Sequence, residues 1–385
     1  MSLRVLCFGR FLDDTPGGIE AHVGSLMSSL QGPVDYSCLV PSRDTRGARF
    51  VKDGVPVVRT ASWNVDGSLA LSPGLILEAW RQHRRQPFDL VHLHFPDPMA
   101  HFASLAIPAH VPRVISWHAE ITRQRFLRKL YAPWQSAALR KAAAIIVATP
   151  CHLRSSPTLA SAGVAEKVNV IPYGFDLTRF SLPHPQAASI RQQHPGRLIF
   201  AVGRHVYYKG FSVLLTALRQ LPPDVRLILG GCGPLSNELR AQAVALGVQQ
   251  RVTFTGLIPP DLLPAYYQAC DVFCLPSVNR AEAFGIVQVE AMAAGKPVVS
   301  SALGNGVDYV NQHGVTGLTP PPGDVAALAS ALGQLLDDAS LRQKFGQQAQ
   351  ARVEQEFSLA AMAERTLMLY QRVLSGQPAS GTDRG

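Results

Sequence analysis

Apolar and polar positions alternate along this chain in a pattern that repeats almost to its end. Short apolar, β-branched runs are separated by longer stretches with helical periodicity. Residues 3–8, 35–40, 90–94, 113–118, 144–148 and 168–172 read as strands. Residues 19–30 read as a helix, with Ile19, Val23, Leu26 and Leu30 on one face. The pattern then restarts. Strands are expected at 198–203, 225–230, 252–255, 272–275 and 298–300, and helices near 212–220, 235–246 and 284–294. The chain is helical again from 324 to about 374. Short strands separated by helices predict α/β domains built on parallel sheets with helices on both faces. Residues 182–196, rich in Pro, His and Gln, read as a linker. The expected division is therefore a doubly wound, Rossmann-like domain at 1–181, a second at 182–356, a terminal helix at 357–374 and a Gly/Ser/Pro-rich flexible tail at 375–385. In such sheets ligands bind at the carboxyl ends of the strands. Two such domains predict a ligand cleft between those edges.

Composition narrows the class. Of 385 residues, 47% are hydrophobic and 16% charged, which supports sizeable cores and excludes wholesale disorder. No stretch approaches the ~18 apolar residues of a membrane span, and residues 1–8 lack the regions of a signal peptide. The six cysteines form no Cys-x-x-Cys and no zinc-finger spacing, and read as buried thiols in a reducing cytoplasm. The formal charge of +9 is uneven: 19 Lys and Arg face 12 Asp and Glu up to Phe175, against 17 and 15 beyond it. A basic surplus raises nucleic acid as a partner, but no recognised nucleic-acid motif accompanies it.

Three segments carry candidate chemistry. Pro16-Gly17-Gly18-Ile19 opens the first helix after the first strand, where small residues and a helix N-terminus suit an anion, although a plain turn has the same appearance. Gly203-Arg204-His205-Val206-Tyr207-Tyr208-Lys209-Gly210 leaves the carboxyl end of the strand that opens the second half. There a rigid guanidinium and a mobile ammonium suit a diphosphate better than a solvated loop. The densest segment is Ser277-Val278-Asn279-Arg280-Ala281-Glu282-Ala283-Phe284-Gly285-Ile286-Val287-Gln288-Val289-Glu290-Ala291-Met292. On a continuous helix its two glutamates would be separated by a rise of about 12 Å. That argues against the acid–nucleophile pair of a glycosidase, set about 5–9 Å apart. It favours carboxylates holding separate hydroxyl-bearing parts of one elongated ligand.

With these residues the chain resembles the retaining glycosyltransferases of family 4, which have the GT-B fold. The resemblance runs from Arg4 to about Tyr370. It rests on the Glu282-x7-Glu290 element with Phe284-Gly285-Ile286 inside it, on Gly17-Gly18, on Arg204 and Lys209, on Gly256, on Ile171-Pro172-Tyr173-Gly174-Phe175-Asp176, and on Gly314–Leu318 followed by Pro321-Pro322-Gly323-Asp324. The resemblance implies a terminal helix that crosses back to the N-domain. It further implies that Arg204 and Lys209 bind the donor diphosphate, that Gly17 and Gly18 approach the donor, and that Glu282 binds sugar hydroxyls beside the backbone of Ala283, Phe284, Gly285 and Ile286. Glu290 would hold the ribose, residues around Ile258 would contact the base, and His118 would contact the sugar near the reacting centre.

The chain contains no Asp-x-Asp. The expectation is therefore catalysis without a metal or other cofactor, fixed cations stabilising the leaving diphosphate, and retained anomeric configuration as in the family. Residues 301–319, together with Ala119-Glu120-Ile121 and Arg123-Gln124, resemble the mannosyl- and rhamnosyltransferases of bacterial surface polysaccharides. The same stretch departs from the usual pattern in having Gly304-Asn305-Gly306 and Asp308. The expected donor is GDP-mannose or a GDP-deoxyhexose, with a UDP-sugar as the alternative. The expected acceptor is a glycan or a polyprenyl-diphosphate-linked glycan, as in lipopolysaccharide assembly. Arg123, Arg125, Arg128 and Lys129, interleaved with aromatic and apolar residues, are expected to form a membrane or acceptor face of a cytoplasmic, peripherally bound enzyme. The rival readings are a catalytically silent nucleotide-sugar-binding subunit, a sugar-nucleotide epimerase, which lacks the Glu-x7-Glu element, and a nicotinamide dehydrogenase. The dehydrogenase reading fails because Gly230-Gly231-Cys232-Gly233 is not Gly-x-Gly-x-x-Gly.

Overall fold

A computed structural model describes residues 2–9, 18–64, 70–119 and 125–377, with the side chains of 64, 70 and 125–128 excepted. The chain divides into two compact units, Met1–Phe175 with Leu359–Gly385, and Asp176–Ser358.

Among the described residues, ten strands belong to the first unit: β1 (Leu3–Phe8), β2 (Val34–Pro41), β3 (Ala48–Lys52), β4 (Val55–Thr60), the short pair β5 (Trp63–Asn64) and β6 (Ala70–Leu71), β7 (Leu90–Phe95), β8 (Arg113–Trp117), β9 (Ala144–Val147) and β10 (Val168–Val170). Eight of them form one sheet in the order β10-β9-β8-β7-β1-β2-β4-β3. Pairing is parallel throughout except that β3 runs against β4. Strand periodicity sorts the core into two layers. Leu6, Phe8, Val91, Leu93, Phe95, Ile115 and Trp117 face helices Pro73–Arg85, Pro98–Ser104 and Arg125–Lys141. Val5, Cys7, Leu90, Val114 and Ala144 face helices Gly18–Ser29 and Leu359–Leu374. The terminal helix is thus part of this unit's core, with Met362, Leu369 and Tyr370 buried in it. From β1 the chain builds outward to β2 and β4, then returns to build β7 to β10 on the other side. The switch point of the sheet therefore lies between β1 and β7.

The second unit contains β11 (Arg197–Val202), β12 (Val225–Gly230), β13 (Val252–Gly256), β14 (Val272–Leu275), β15 (Val298–Ser300) and β16 (Gly317–Leu318). They form an all-parallel sheet in the order β13-β12-β11-β14-β15-β16, whose switch point lies between β11 and β14. Helices Phe211–Gln220, Ser236–Ala245 and Val325–Asp337 cover one face through Leu214, Leu218, Leu239, Leu332 and Leu335. Phe200, Tyr267 and Phe273 pack together elsewhere in the unit's interior, with ring centroids 5.1–5.9 Å apart.

The structure corrects several local expectations. The division falls at Phe175/Asp176 rather than after residue 181. The expected linker at 182–196 carries helix Ala187–Gln193, which buries Ile190 and belongs to the second unit. The helical stretch from 324 to 374 is broken. Asp324 and Asp338 cap successive helices by accepting the Ala327 and Leu341 amides, both at 2.9 Å, and a π-helical turn, Val353–Phe357, precedes the terminal helix. Strands β3, β5, β6 and β16 carried too little apolar sequence to be expected, and in β4 Pro56 interrupts the apolar run Val55–Val58. The tail beyond residue 377 lies outside the described residues.

Candidate functional site

In the second unit, the segments that carry the predicted chemistry leave the two strands flanking the switch point. Arg204 and Lys209 follow β11, and Glu282 follows β14. The two loops are tied by the Val278 amide donating to the Tyr208 carbonyl at 2.8 Å. Gly210 permits this approach: its φ is +68°, and a Cβ there would lie 1.9 Å from the Pro276 carbonyl oxygen. Lys209 and Glu282 are both buried, and the Lys209 ammonium donates to Glu282 Oε2 at 2.5 Å. The Ser277 hydroxyl donates to the same oxygen at 3.0 Å. Among the described residues Glu282 Oε1 accepts no hydrogen bond, so one carboxylate oxygen is held and the other is available to a ligand hydroxyl. Arg204 is exposed, and among the described residues its guanidinium has no hydrogen-bond or ion-pair partner. One cation is thus fixed and the other is free to meet an anion.

The helix expected to begin near Phe284 begins instead at Ile286 and runs to Ala293. Gly285 stops it from starting earlier. Its φ is +72°, and a Cβ there would lie 2.7 Å from Leu275 Cδ2. Phe284 and Gly285 are buried, whereas Ala283 and Ile286 are exposed. Glu290 accepts the Tyr267 hydroxyl at 2.7 Å, and burial raises its carboxyl above the ordinary carboxylate range while the tyrosine bond offsets part of that rise. Ile258 packs closely over Gly230 at the end of β12, where a Cβ would lie 2.7 Å from Ile258 Cδ1.

Asn305 was not singled out by sequence reasoning as a site residue. Its side-chain amide donates to the Glu282 carbonyl at 2.7 Å, and its side-chain oxygen accepts the Val307 amide at 3.0 Å. Asp308 accepts the Leu303 and Asn305 amides at 3.0 and 3.1 Å. In the unusual stretch around Gly304-Asn305-Gly306, these two residues therefore cap helix Gly306–Val310 and fasten its loop to Glu282.

In the first unit, His118 lies one residue beyond β8 rather than inside it. Its Nε2 is 3.0 Å from His94 Nδ1, and its Nδ1 is 3.1 Å from the Tyr173 hydroxyl. The His22 ring stands edge-on to His118, with centroids 5.4 Å apart. His22 lies on the helix after β1 and His94 on β7, so this cluster also spans its sheet's switch point. His92, two residues before His94, bonds Ser116 at 2.8 Å and the Tyr370 hydroxyl at 2.6 Å, and Tyr370 lies 3.1 Å from the Tyr36 hydroxyl. Burial lowers all four imidazoles, His22 to about 4 and His92 to about 3, and pushes the Tyr173 hydroxyl up to about 12. These histidines are therefore neutral lone-pair carriers at neutral pH. Their signal in the sequence was the His92-x-His94 spacing, which places both side chains on one face of a strand.

Gly17 and Arg123 lie outside the described residues. Gly18 begins helix Gly18–Ser29, and a Cβ there would meet no described atom within 4 Å. Arg125 and Arg128 lie on helix Arg125–Lys141, where Lys129 is exposed together with Leu130 and Trp134. No helix among the described residues is long and apolar enough to cross a membrane.

Known proteins resemble this chain in both halves. The glycosyl transferase 4-like domain matches residues 17–174, and the glycosyl transferases group 1 model matches residues 186–352. The chain is 36% identical over 361 residues to the D-rhamnosyltransferase WbpZ of Pseudomonas aeruginosa, covering 92% of each chain. It is 30% identical to the O-antigen chain mannosyltransferase C of Escherichia coli, covering 97% of this chain and 100% of that one. Among solved structures, HepE of Anabaena in complex with UDP superposes with a TM-score of 0.73 at 24% identity, covering 96% of this chain and 99% of that one. Sequence relatives and fold agree that this chain belongs to the GT-B glycosyltransferases of family 4.

Proposed function

We propose that the protein transfers a hexose, mannose or a deoxyhexose such as rhamnose, from a nucleotide diphosphate sugar to a glycan or polyprenyl-diphosphate-linked acceptor in bacterial surface polysaccharide assembly. The observation that carries this reading is the buried Lys209–Glu282 pair at the second unit's switch point, with Arg204, which has no partner among the described residues, on the same loop as Lys209. A diphosphate leaving group gathers negative charge as the glycosidic bond breaks. Arg204 supplies a planar fork and Lys209 a buried point charge to stabilise it. Glu282 Oε1 accepts sugar hydroxyls, Glu290 the ribose hydroxyls, and Ile258 borders the base. His118 contacts the sugar near the reacting carbon. With these cations in place of a metal–diphosphate clamp, transfer proceeds without a metal and with retention. The two relatives named above, a D-rhamnosyltransferase and a mannosyltransferase, support mannose or a deoxyhexose as the sugar, and the proposed carrier is GDP rather than UDP.

The acceptor reading draws on the first unit. Beside exposed Leu130 and Trp134 stand the exposed cations Lys129, Arg140 and Lys141, an arrangement suited to an anionic membrane surface. A cavity of about 610 Å³ opens among Leu93, Leu105, Ile115, Trp134 and Lys141, a lining suited to an apolar tail beneath a charged head. Cosedimentation with anionic vesicles at low salt tests this face, and no binding there removes it.

The test of the reaction is a panel of GDP-, UDP- and dTDP-sugars with EDTA present. Turnover of a GDP-sugar in EDTA supports the proposal. Loss of turnover in EDTA with rescue by Mn²⁺ overturns metal independence, and preference for UDP- or dTDP-sugars overturns the choice of donor. The anomeric configuration of the product, read by NMR, tests retention.

A further inference from the structure

The histidine cluster of the first unit has a feature that sugar transfer leaves unexplained. His22, His94 and His118 each present a ligand nitrogen within 4.8 Å of the other two. Among the described residues His22 Nδ1 is buried with no hydrogen-bond partner, although leaving a buried polar atom unpaired is costly. We propose that these three histidines form a binding site for one divalent transition-metal ion, with Zn²⁺ the best fit.

The donor set is three neutral imidazoles, the type of ligand that suits zinc. His94 Nδ1 and His118 Nε2 stand 3.0 Å apart and share one proton. Two nitrogens on a tetrahedral Zn²⁺, each about 2.0–2.1 Å from the metal, lie about 3.3 Å apart. A zinc ion can therefore take the place of that shared proton with only a small parting of the two rings. The ring that held this proton stays neutral, the proton passing to its other nitrogen, so none has to leave the site. The unpartnered His22 Nδ1 supplies the third nitrogen. His118 Nδ1 then donates to the Tyr173 hydroxyl, 3.1 Å away, the kind of outer hydrogen bond that orients a metal-bound imidazole. A fourth position is left to water. Burial keeps the three rings neutral, so no imidazolium has to be discharged first.

The consequence is inhibitory. Zinc on His118 withdraws the nitrogen that faces His94 and places a cation where the transfer reaction uses none. This consequence, unlike the site itself, rests on the proposed role of His118.

The test is titration of the full-length, metal-free protein with Zn²⁺ against a chromophoric chelator, and with Co²⁺ by visible absorption. The expected result is one equivalent bound, with intense tetrahedral Co²⁺ bands. His22→Ala and His94→Ala are expected to weaken binding beyond the ~10–100-fold that loss of an outer-shell partner costs. Unfolding curves of both variants show whether they remain folded, and the Co²⁺ spectrum of the unsubstituted protein reads the coordination geometry directly even if they do not. Absence of a stoichiometric site, weak octahedral Co²⁺ bands, or unchanged affinity in folded variants overturns the proposal. If Zn²⁺ binds at one equivalent and transfer continues undiminished, the site stands and the catalytic reading of His118 falls.

Discussion

The two units place their chemistry at the same topological point and build it from opposite materials. In the second unit the switch point holds opposite charges: Lys209 and Glu282 bonded at 2.5 Å, with Ser277 and Asn305 fastening the glutamate. In the first it holds neutral rings: His94, His118 and Tyr173 in a hydrogen-bonded chain beside His22, with two ring nitrogens unpaired among the described residues. A buried ion pair is costly to desolvate and still costlier to break from one side. A neutral cluster costs less to desolvate than an ion pair, but it is open to any agent that delivers a proton or a metal. The doubly wound fold thus fixes where a ligand edge lies, and the residues placed there decide whether it responds to charge loss or to pH.

The largest difference is expected from removing one side of the ion pair. Lys209→Ala should lower kcat at least ~10²-fold and cost roughly 3–5 kcal/mol of stability by stranding Glu282. The double variant Lys209→Met with Glu282→Gln should recover most of that stability and none of the turnover. Recovery of both in denaturant melts and transfer assays would reduce the pair to a structural role.

Acid should separate the units in the other direction. An unfolded imidazole titrates near 6.5, whereas in the fold His22 is lowered to about 4 and His92 to about 3 by burial. Below about pH 6.5 the unfolded chain therefore binds more protons than the folded one. The stability held above that pH declines as pH falls toward 4 and 3, steepening to about 1.4 kcal/mol per pH unit for each group. Hydrogen exchange at pH 7.5 and pH 5 should show β7 and β8 losing protection before β11 and β14. Equal loss in both sheets would contradict the contrast.

Smaller effects should follow from the supports. Tyr267→Phe removes the hydroxyl that Glu290 accepts and should cost about 1 kcal/mol, with KM for the donor rising more than kcat falls. Asn305→Ala removes a helix cap and the bond to the Glu282 carbonyl, at about 0.5–2 kcal/mol, with a loss of donor binding that Asn305→Ser should partly restore by keeping the cap.

Much of this was legible in the sequence. β1, β12, β14 and β15 follow directly from their apolar runs, and Arg204, Lys209, Glu282 and Glu290 from their place after strands. The partnership of Lys209 with Glu282 was not legible, because it depends on β11 and β14 being neighbours, a pairing between strands far apart in the chain. The bonds of Asn305 to Glu282 and of Tyr173 to His118 were hidden for the same reason. His94 was marked only by the His92-x-His94 spacing, and His22 was hidden because a histidine in a helix has no local mark until the fold brings it beside His94 and His118.

The most direct test is the transfer rate of Glu282→Ala with the best donor sugar in excess EDTA, measured on protein shown to be folded. A kcat at least ~10²-fold below the unsubstituted enzyme is expected. Near-normal turnover would show that the Lys209–Glu282 pair is not where the donor sugar is held.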